Sequence, residues 1–251
     1  MIRRGLLEAN NMRRFAISMA ASAAVLAAGA AHAAPATMYS TNFDISSLYA
    51  GVGVVQAGPG AIGNFGANNY GGATGNFLYN DTIAPQMTTW TLSNLPGHTS
   101  VTVDLTPMFI DSWDSTNGSP APDYYDIYFD GNLVLRMTSA NASGNVTDLG
   151  PGGVSTYFGN VFYGGYNERI ADITALTIGH TGSSFVLGIQ ASGSGWQGGG
   201  DESWGVDNIN ISADLRSVGG IPEPATWAMM IVGFAGVGSA LRSRRKALVA
   251  A

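Results

Sequence analysis

From Ala34 to Val218 the chain alternates short apolar–polar runs with glycine-rich breaks, and helix-period patterning is weak throughout. That rhythm leaves few folds open, because strands spaced by tight turns must bury one face each against another sheet. "SVTVDLT" puts Val101, Val103 and Leu105 on one face. "YYDIYFDGNLVLRMT" predicts a hairpin: Tyr125, Ile127 and Phe129 share a face, Asp130-Gly131 begins the turn, and Leu133 to Met137 return. "DITALTIGHTGSSFVLGIQAS" reads as two strands joined by a Gly/Ser loop. "WGVDNINIS" alternates Val206, Ile209 and Ile211 imperfectly. No fixed-period repeat is present. The expectation is an all-β sandwich over 34–216, flanked by a signal helix and an apolar C-terminal helix.

The two ends read as addresses. Arg3, Arg4, Arg13 and Arg14 precede the uncharged run "FAISMAASAAVLAAGAA", which closes on Ala31-His32-Ala33, a small-x-small cleavage signal. Residues 1–33 are therefore expected to be a secretory leader, with Met12 as an alternative start. At the other end, "SVGGIPEP" is a linker (217–224), followed by a segment over 225–251. There Trp227–Leu241 is apolar, and Arg242, Arg244, Arg245 and Lys246 follow at once. A membrane span needs about 20 residues, so this run spans only with its flanks. Its glycines are tolerated in membrane helices, and its cations mark a cytoplasmic end.

With both ends set aside, three cations remain (Arg136, Arg169, Arg216) against fifteen carboxylates. Nucleic acid is excluded as a partner, since no basic patch can form. Such a balance suits a hard cation such as calcium, or serves solubility alone. The chain has no cysteine, so disulfides, thiolate metal sites and thiol nucleophiles are absent. His98 and His180 both sit in turn-like sequences, no Gly-x-Ser-x-Gly elbow occurs, and Glu168 and Glu202 are the only glutamates between the ends. The chain is therefore expected not to be an enzyme.

Carboxylates gather in "TNFDI", in "FIDSWDSTNGSPAPDYYDIYFDG" and in "GGGDESWGVDNINI". Asp111, Asp114, Asp123, Asp126 and Asp130 read either as a second cation site or as solvated loop and strand faces. Trp196, between glycine runs, is expected to be exposed and to offer a stacking face to a sugar, whereas Trp204 is expected in the core.

Pro222, Glu223, Pro224, Trp227, Gly233 and the arginines Arg242, Arg244 and Arg245 together resemble the C-terminal sorting signal of PEP-CTERM proteins of Gram-negative bacteria. The resemblance covers about the last 25 residues. It implies export through the inner membrane, a transient anchor there, and processing by an exosortase-type enzyme. It also implies a destination in the periplasm, outer surface or extracellular matrix, in association with exopolysaccharide and biofilm. A second resemblance is shorter. "GDESWGVDNINI" with Phe43-Asp44 is similar to the last and first strands of MAM-like jelly-roll domains. It implies a jelly-roll sandwich whose Asp44 and Asp207, with Asp201 or Glu202, share a cation. The other reading of Asp207-Asn208 is a capped turn or a side chain bonding the backbone at a strand edge. Together these readings give an exported, non-catalytic protein, with calcium-dependent binding of exopolysaccharide. A secreted polysaccharide hydrolase and a purely structural or adhesive protein are the alternatives.

Overall fold

The computed structural model describes residues 34–70, 73–141, 150, 152, 153, 166, 168–216 and 224–249. The leader expected over 1–33, the linker over 217–223, and Pro222 and Glu223 lie outside them. The chain divides into two units, 1–33 and 34–251, and every described residue belongs to the second.

Among the described residues thirteen strands run in chain order: β1 (Ala36–Thr41), β2 (Ser46–Leu48), β3 (Gly53–Ala57), β4 (Ala61–Tyr70), β5 (Ala73–Asn80), β6 (Thr88–Ser93), β7 (His98–Asp111), β8 (Tyr124–Phe129), β9 (Asn132–Met137), β10 (Arg169–Ile170), β11 (Ile173–Gly179), β12 (Ser184–Ser192) and β13 (Glu202–Leu215). They form two antiparallel sheets. One is ordered β10-β7-β13-β1-β2, with β11 also on β7 and the β4–β5 hairpin joined to β13 through β5. The other is β3-β6-β12-β8-β9. One core lies between them. The first sheet supplies Met38, Val101, Val103, Leu105, Val206, Ile209 and Ile211; the second supplies Trp90, Leu92, Ile127, Phe129, Phe185, Leu187 and Ile189. This is a β-sandwich.

The hairpin expected around Asp130-Gly131 is β8–β9, with both turn residues at positive φ (49° and 80°), the twist that two-residue turns need. The strands expected in "DITALTIGHTGSSFVLGIQAS" are β11 and β12, but they lie in different sheets, so their connection bridges the sandwich.

The imperfect alternation of "WGVDNINIS" has a local cause. Asn208 sits at φ 50°, and β13 shifts register against β7 between Asp207 and Asn210. This bulge moves the inward phase from even positions (Trp204, Val206) to odd ones (Ile209, Ile211, Ala213). Asp207 is thereby on the outer face. The second half of β7 is buried on both faces, because the β4–β5 hairpin covers its outside. There Phe65, Ala73 and Phe77 pack on Met108, Ile110 and Ile170.

Beyond the sandwich, α1 (Pro224–Val249) carries Trp227 and, in its later turns, Arg242, Arg244 and Arg245. Among the described residues no helix is long and apolar enough to cross a membrane.

Candidate metal centre

β7 ends at Asp111, whose left-handed backbone (φ 71°) turns the chain toward the second sheet. The loop that follows is held from within. The Asp114 amide donates to Asp123 Oδ2 at 2.6 Å, and the Asp123 amide donates to the Asp114 carbonyl at 2.8 Å. Trp113 Nε1 donates to the Ser203 carbonyl at 2.7 Å, and Ser112 Oγ donates to Asp201 Oδ1 at 2.8 Å. These bonds seat the loop on the segment that enters β13. That segment is glycine-rich for a reason visible at Gly195: a Cβ there would stand 2.6 Å from Asp123 Oδ1. At its end, Glu202 Oε2 accepts from the amides of Gln197 (2.6 Å) and Gly198 (3.2 Å).

The result is a group of three carboxylates, Asp114, Asp123 and Glu202, each offering an oxygen within 4.8 Å of the others. Two oxygens on opposite sides of a calcium ion stand about 4.8 Å apart, so the group has the span that one ion bridges. Asp123 and Glu202 are fully buried. Asp123 Oδ1 and Glu202 Oε1 have no hydrogen-bond partner among the described residues, although buried polar atoms nearly always have one.

The electrostatics agree. Burial pushes the Asp123 carboxyl up to about 8; the Asp114 amide opposes this, while the charges of Glu202, Asp114 and Asp201 add to it. Glu202 is also raised, first by burial and then by Asp201 and Asp114, against the pull of its two amides. Asp111 and Asp114 are raised by burial and by Asp201. Like charges crowded out of water need a cation or protons.

The expected ligand set is divided by the fold. Glu202 joins Asp114 and Asp123, with Asp201 contributing charge and holding Ser112. Asp207 lies five residues along β13, about 16 Å away, on the outer face. Asp207 is fully buried and its Oδ2 has no hydrogen-bond partner among the described residues. Its carboxyl is raised to about 6, first by burial and in part by the charge of Asp44, with the amides of Asn208 and Thr74 acting the other way. Exposed Asp44 accepts from the Asn76 amide at 3.2 Å. Asp44 and Asp207 thus both meet β5, the one through the Asn76 amide and the other through the Thr74 amide, apart from Asp201 and Glu202. The other reading of Asp207, a side chain bonding the backbone, is seen: its Oδ1 accepts from the Asn208 amide at 2.7 Å.

Asp126 belongs to neither group. Buried on β8, it takes a two-pronged ion pair from Arg136 at 2.7 Å and 2.7 Å, with Ser192 Oγ at 2.7 Å.

Trp196 departs from expectation. It is only 9% exposed; its Nε1 donates to the Thr82 carbonyl at 3.0 Å, and its ring meets Trp113 edge-on at 5.6 Å. The glycines around it let the loop fold over the indole, so it packs inward and offers no stacking face. Trp204 is in the core. The role of Asp114 and Asp123 had one sequence signal, a Pro/Gly-rich loop bracketed by two aspartates.

No protein-family model and no curated protein matches the chain. Among solved structures, the family 35 carbohydrate-binding module from Clostridium thermocellum is similar at 14% identity and a TM-score of 0.33, covering 71% of this chain and 98% of that one. CBM35 from Paenibacillus barcinonensis is similar at 13% identity and a TM-score of 0.29, over 65% and 94%. The catalytic domain of a GH87 α-1,3-glucanase matches at 15% identity and a TM-score of 0.28, over 69% of this chain and 30% of that one.

Proposed function

We propose that this chain is an exported, non-catalytic β-sandwich of jelly-roll type that calcium stabilises and that associates with exopolysaccharide at the cell envelope. The observation that carries the calcium reading is the pair of buried, unpartnered oxygens, Asp123 Oδ1 and Glu202 Oε1, facing Asp114. Three carboxylates on irregular loops suit calcium, which accepts flexible oxygen geometry, better than magnesium, which demands a near-ideal octahedron. Asp44 and Asp207 are a second, smaller candidate for the same ion.

Burial supports the non-catalytic reading. Glycosidases need two carboxyls that flank a sugar, and Asp123 and Glu202 are closed off from any substrate of that size. The envelope and polysaccharide readings rest on the resemblance of Pro222-Glu223-Pro224, Trp227 and the terminal arginines to an exosortase-processed tail. With three cations in the body of the protein, binding to the sugar would use neutral polar groups or the bound ion.

The test is retention of the purified protein on exopolysaccharide from its native host, in calcium and in chelator, beside a thermal melt in each. Retention and a higher melting temperature in calcium are expected. Retention in neither condition removes the polysaccharide reading. Identical melts remove the calcium reading.

A further inference from the structure

Away from the carboxylates, two imidazoles from distant parts of the chain meet. His98, fully buried at the start of β7, places Nε2 2.6 Å from Nδ1 of His180, which follows β11. The ring planes are 15° apart and the centroids 4.9 Å apart, so the imidazoles lie nearly coplanar, end to end, as a shared hydrogen requires. His98 Nδ1 lies 2.6 Å from the Pro96 carbonyl. His180 Nε2 lies 3.4 Å from Oδ2 of Asp130, in the β8–β9 turn. Asp130 is itself fixed, its Oδ1 accepting from the Val186 amide at 2.8 Å.

Counting protons gives the state of this chain of contacts. A carbonyl only accepts, so His98 Nδ1 carries a hydrogen. A carboxylate 3.4 Å away, at ion-pair rather than hydrogen-bond distance, favours a proton on His180 Nε2 over a bare lone pair. The nitrogen–nitrogen contact needs one hydrogen between its partners. Three protons on four nitrogens leave the pair with a single positive charge, opposite Asp130. With two protons, one of the three contacts has no hydrogen. With four, two N–H groups point at each other.

We infer that His98, His180 and Asp130 form a one-proton clasp, which fastens the first sheet to the second and loosens when that proton is lost. His98 and His180 belong to the first sheet and its edge; Asp130 belongs to the second. The clasp stands at the far end from the acidic triad, since β7 runs from His98 to Asp111 and β8 runs from beside Asp123 to beside Asp130. The groups around the pair are few: Asp130 from the β8–β9 turn, Phe185 of β12 edge-on to His180 at 5.5 Å, the Thr99 carbonyl on the His180 amide, and Arg216 beyond β13, whose Nε donates to the His98 carbonyl at 3.0 Å. Losing the proton would turn a bare nitrogen lone pair toward the Asp130 carboxylate, so the clasp closes in acidic surroundings and opens in alkaline ones. It is independent of the calcium reading.

Histidine-selective nitrogen NMR on the full chain in calcium tests it directly. At pH 6, three N–H groups on the two imidazoles are expected, with a scalar coupling across the shared hydrogen. Two neutral or two doubly protonated rings would overturn the clasp. A second readout compares thermal melts of the wild type and His180→Phe, whose ring can keep the edge-on packing with Phe185, from pH 6 to 8 in calcium. The wild type should lose several degrees more than the variant; equal losses count against the clasp. If the variant does not fold, the NMR result decides alone.

Discussion

Asp114 and Asp123 hold each other across nine residues, each donating its backbone amide to the other, at 2.6 Å and 2.8 Å. One of those bonds ends on the Asp123 carboxylate, which leaves its second oxygen turned toward Glu202. The same contact that closes the loop thus aims a ligand atom.

The first prediction follows from that oxygen. Asp123→Asn removes an ionisable group from a crowded buried site while keeping the shape. In chelator the variant should melt at or above the wild type, because the neutral amide needs no extra proton to be buried there. In calcium it should melt below, having lost the ion's contribution of about 2.7 kcal/mol at a hundredfold excess over Kd. Thermal melts in the two buffers check the reversal of order.

Acidity should act in the direction opposite to ordinary acid denaturation. Asp123 titrates near 8 in the folded protein and Asp207 near 6, both above the ordinary aspartate value of about 3.9. Between the unfolded and folded values the native state holds the extra proton, so stability falls as pH rises. Without calcium, the loss should run from about pH 4 to 8 at up to ~1.4 kcal/mol per pH unit for each group while it is changing. Urea unfolding in chelator at several pH values measures it. Calcium should flatten the slope by keeping Asp123 ionised.

The Asp126–Arg136 pair joins β8 to β9 through two 2.7 Å bonds. Arg136 is partly exposed, so solvent screens some of the interaction. Arg136→Ala should still cost about 2 kcal/mol, because a buried carboxylate loses its charged partner. The double variant with Asp126→Ala should recover part of that loss, as read by a double-mutant cycle in urea.

Trp196→Ala is expected to behave as a core truncation. It should destabilise by about 3–5 kcal/mol and perturb the near-ultraviolet signal of Trp113, its edge-on neighbour. Under conditions that keep it folded, retention on polysaccharide should be unchanged. Selective loss of retention without loss of stability would contradict the packing seen here.

Replacing Pro222-Glu223-Pro224 by alanines should leave the protein unprocessed in the membrane fraction. Fractionation and intact mass in the native host report it, and normal processing would remove the sorting proposal.

Much of the sandwich could be read from residues alone. Val101, Val103 and Leu105 alternate because one face of β7 is buried there, and Asp130-Gly131 turns because both residues tolerate positive φ. Long-range effects were not readable. Nothing local to β7 announces that the β4–β5 hairpin covers its second half. Glu202 and Asp207 look like one cluster in sequence, yet an extended strand separates them and an odd spacing turns them to opposite faces. Trp196 shows the same limit, because glycines that suggest an open loop also permit one to close over a large ring.

The first and last strands of the sandwich are neighbours, with Ala36 opposite Ala213 in an antiparallel ladder. Chain entry and exit therefore stand side by side. Tension applied between them would unzip this ladder one hydrogen bond at a time, a geometry that yields at low force. Tension on a fixed tail peels β13 from Leu215 backward. It meets the histidine end first and Glu202 last, so the ion-holding end is the part that would survive a mechanical load longest.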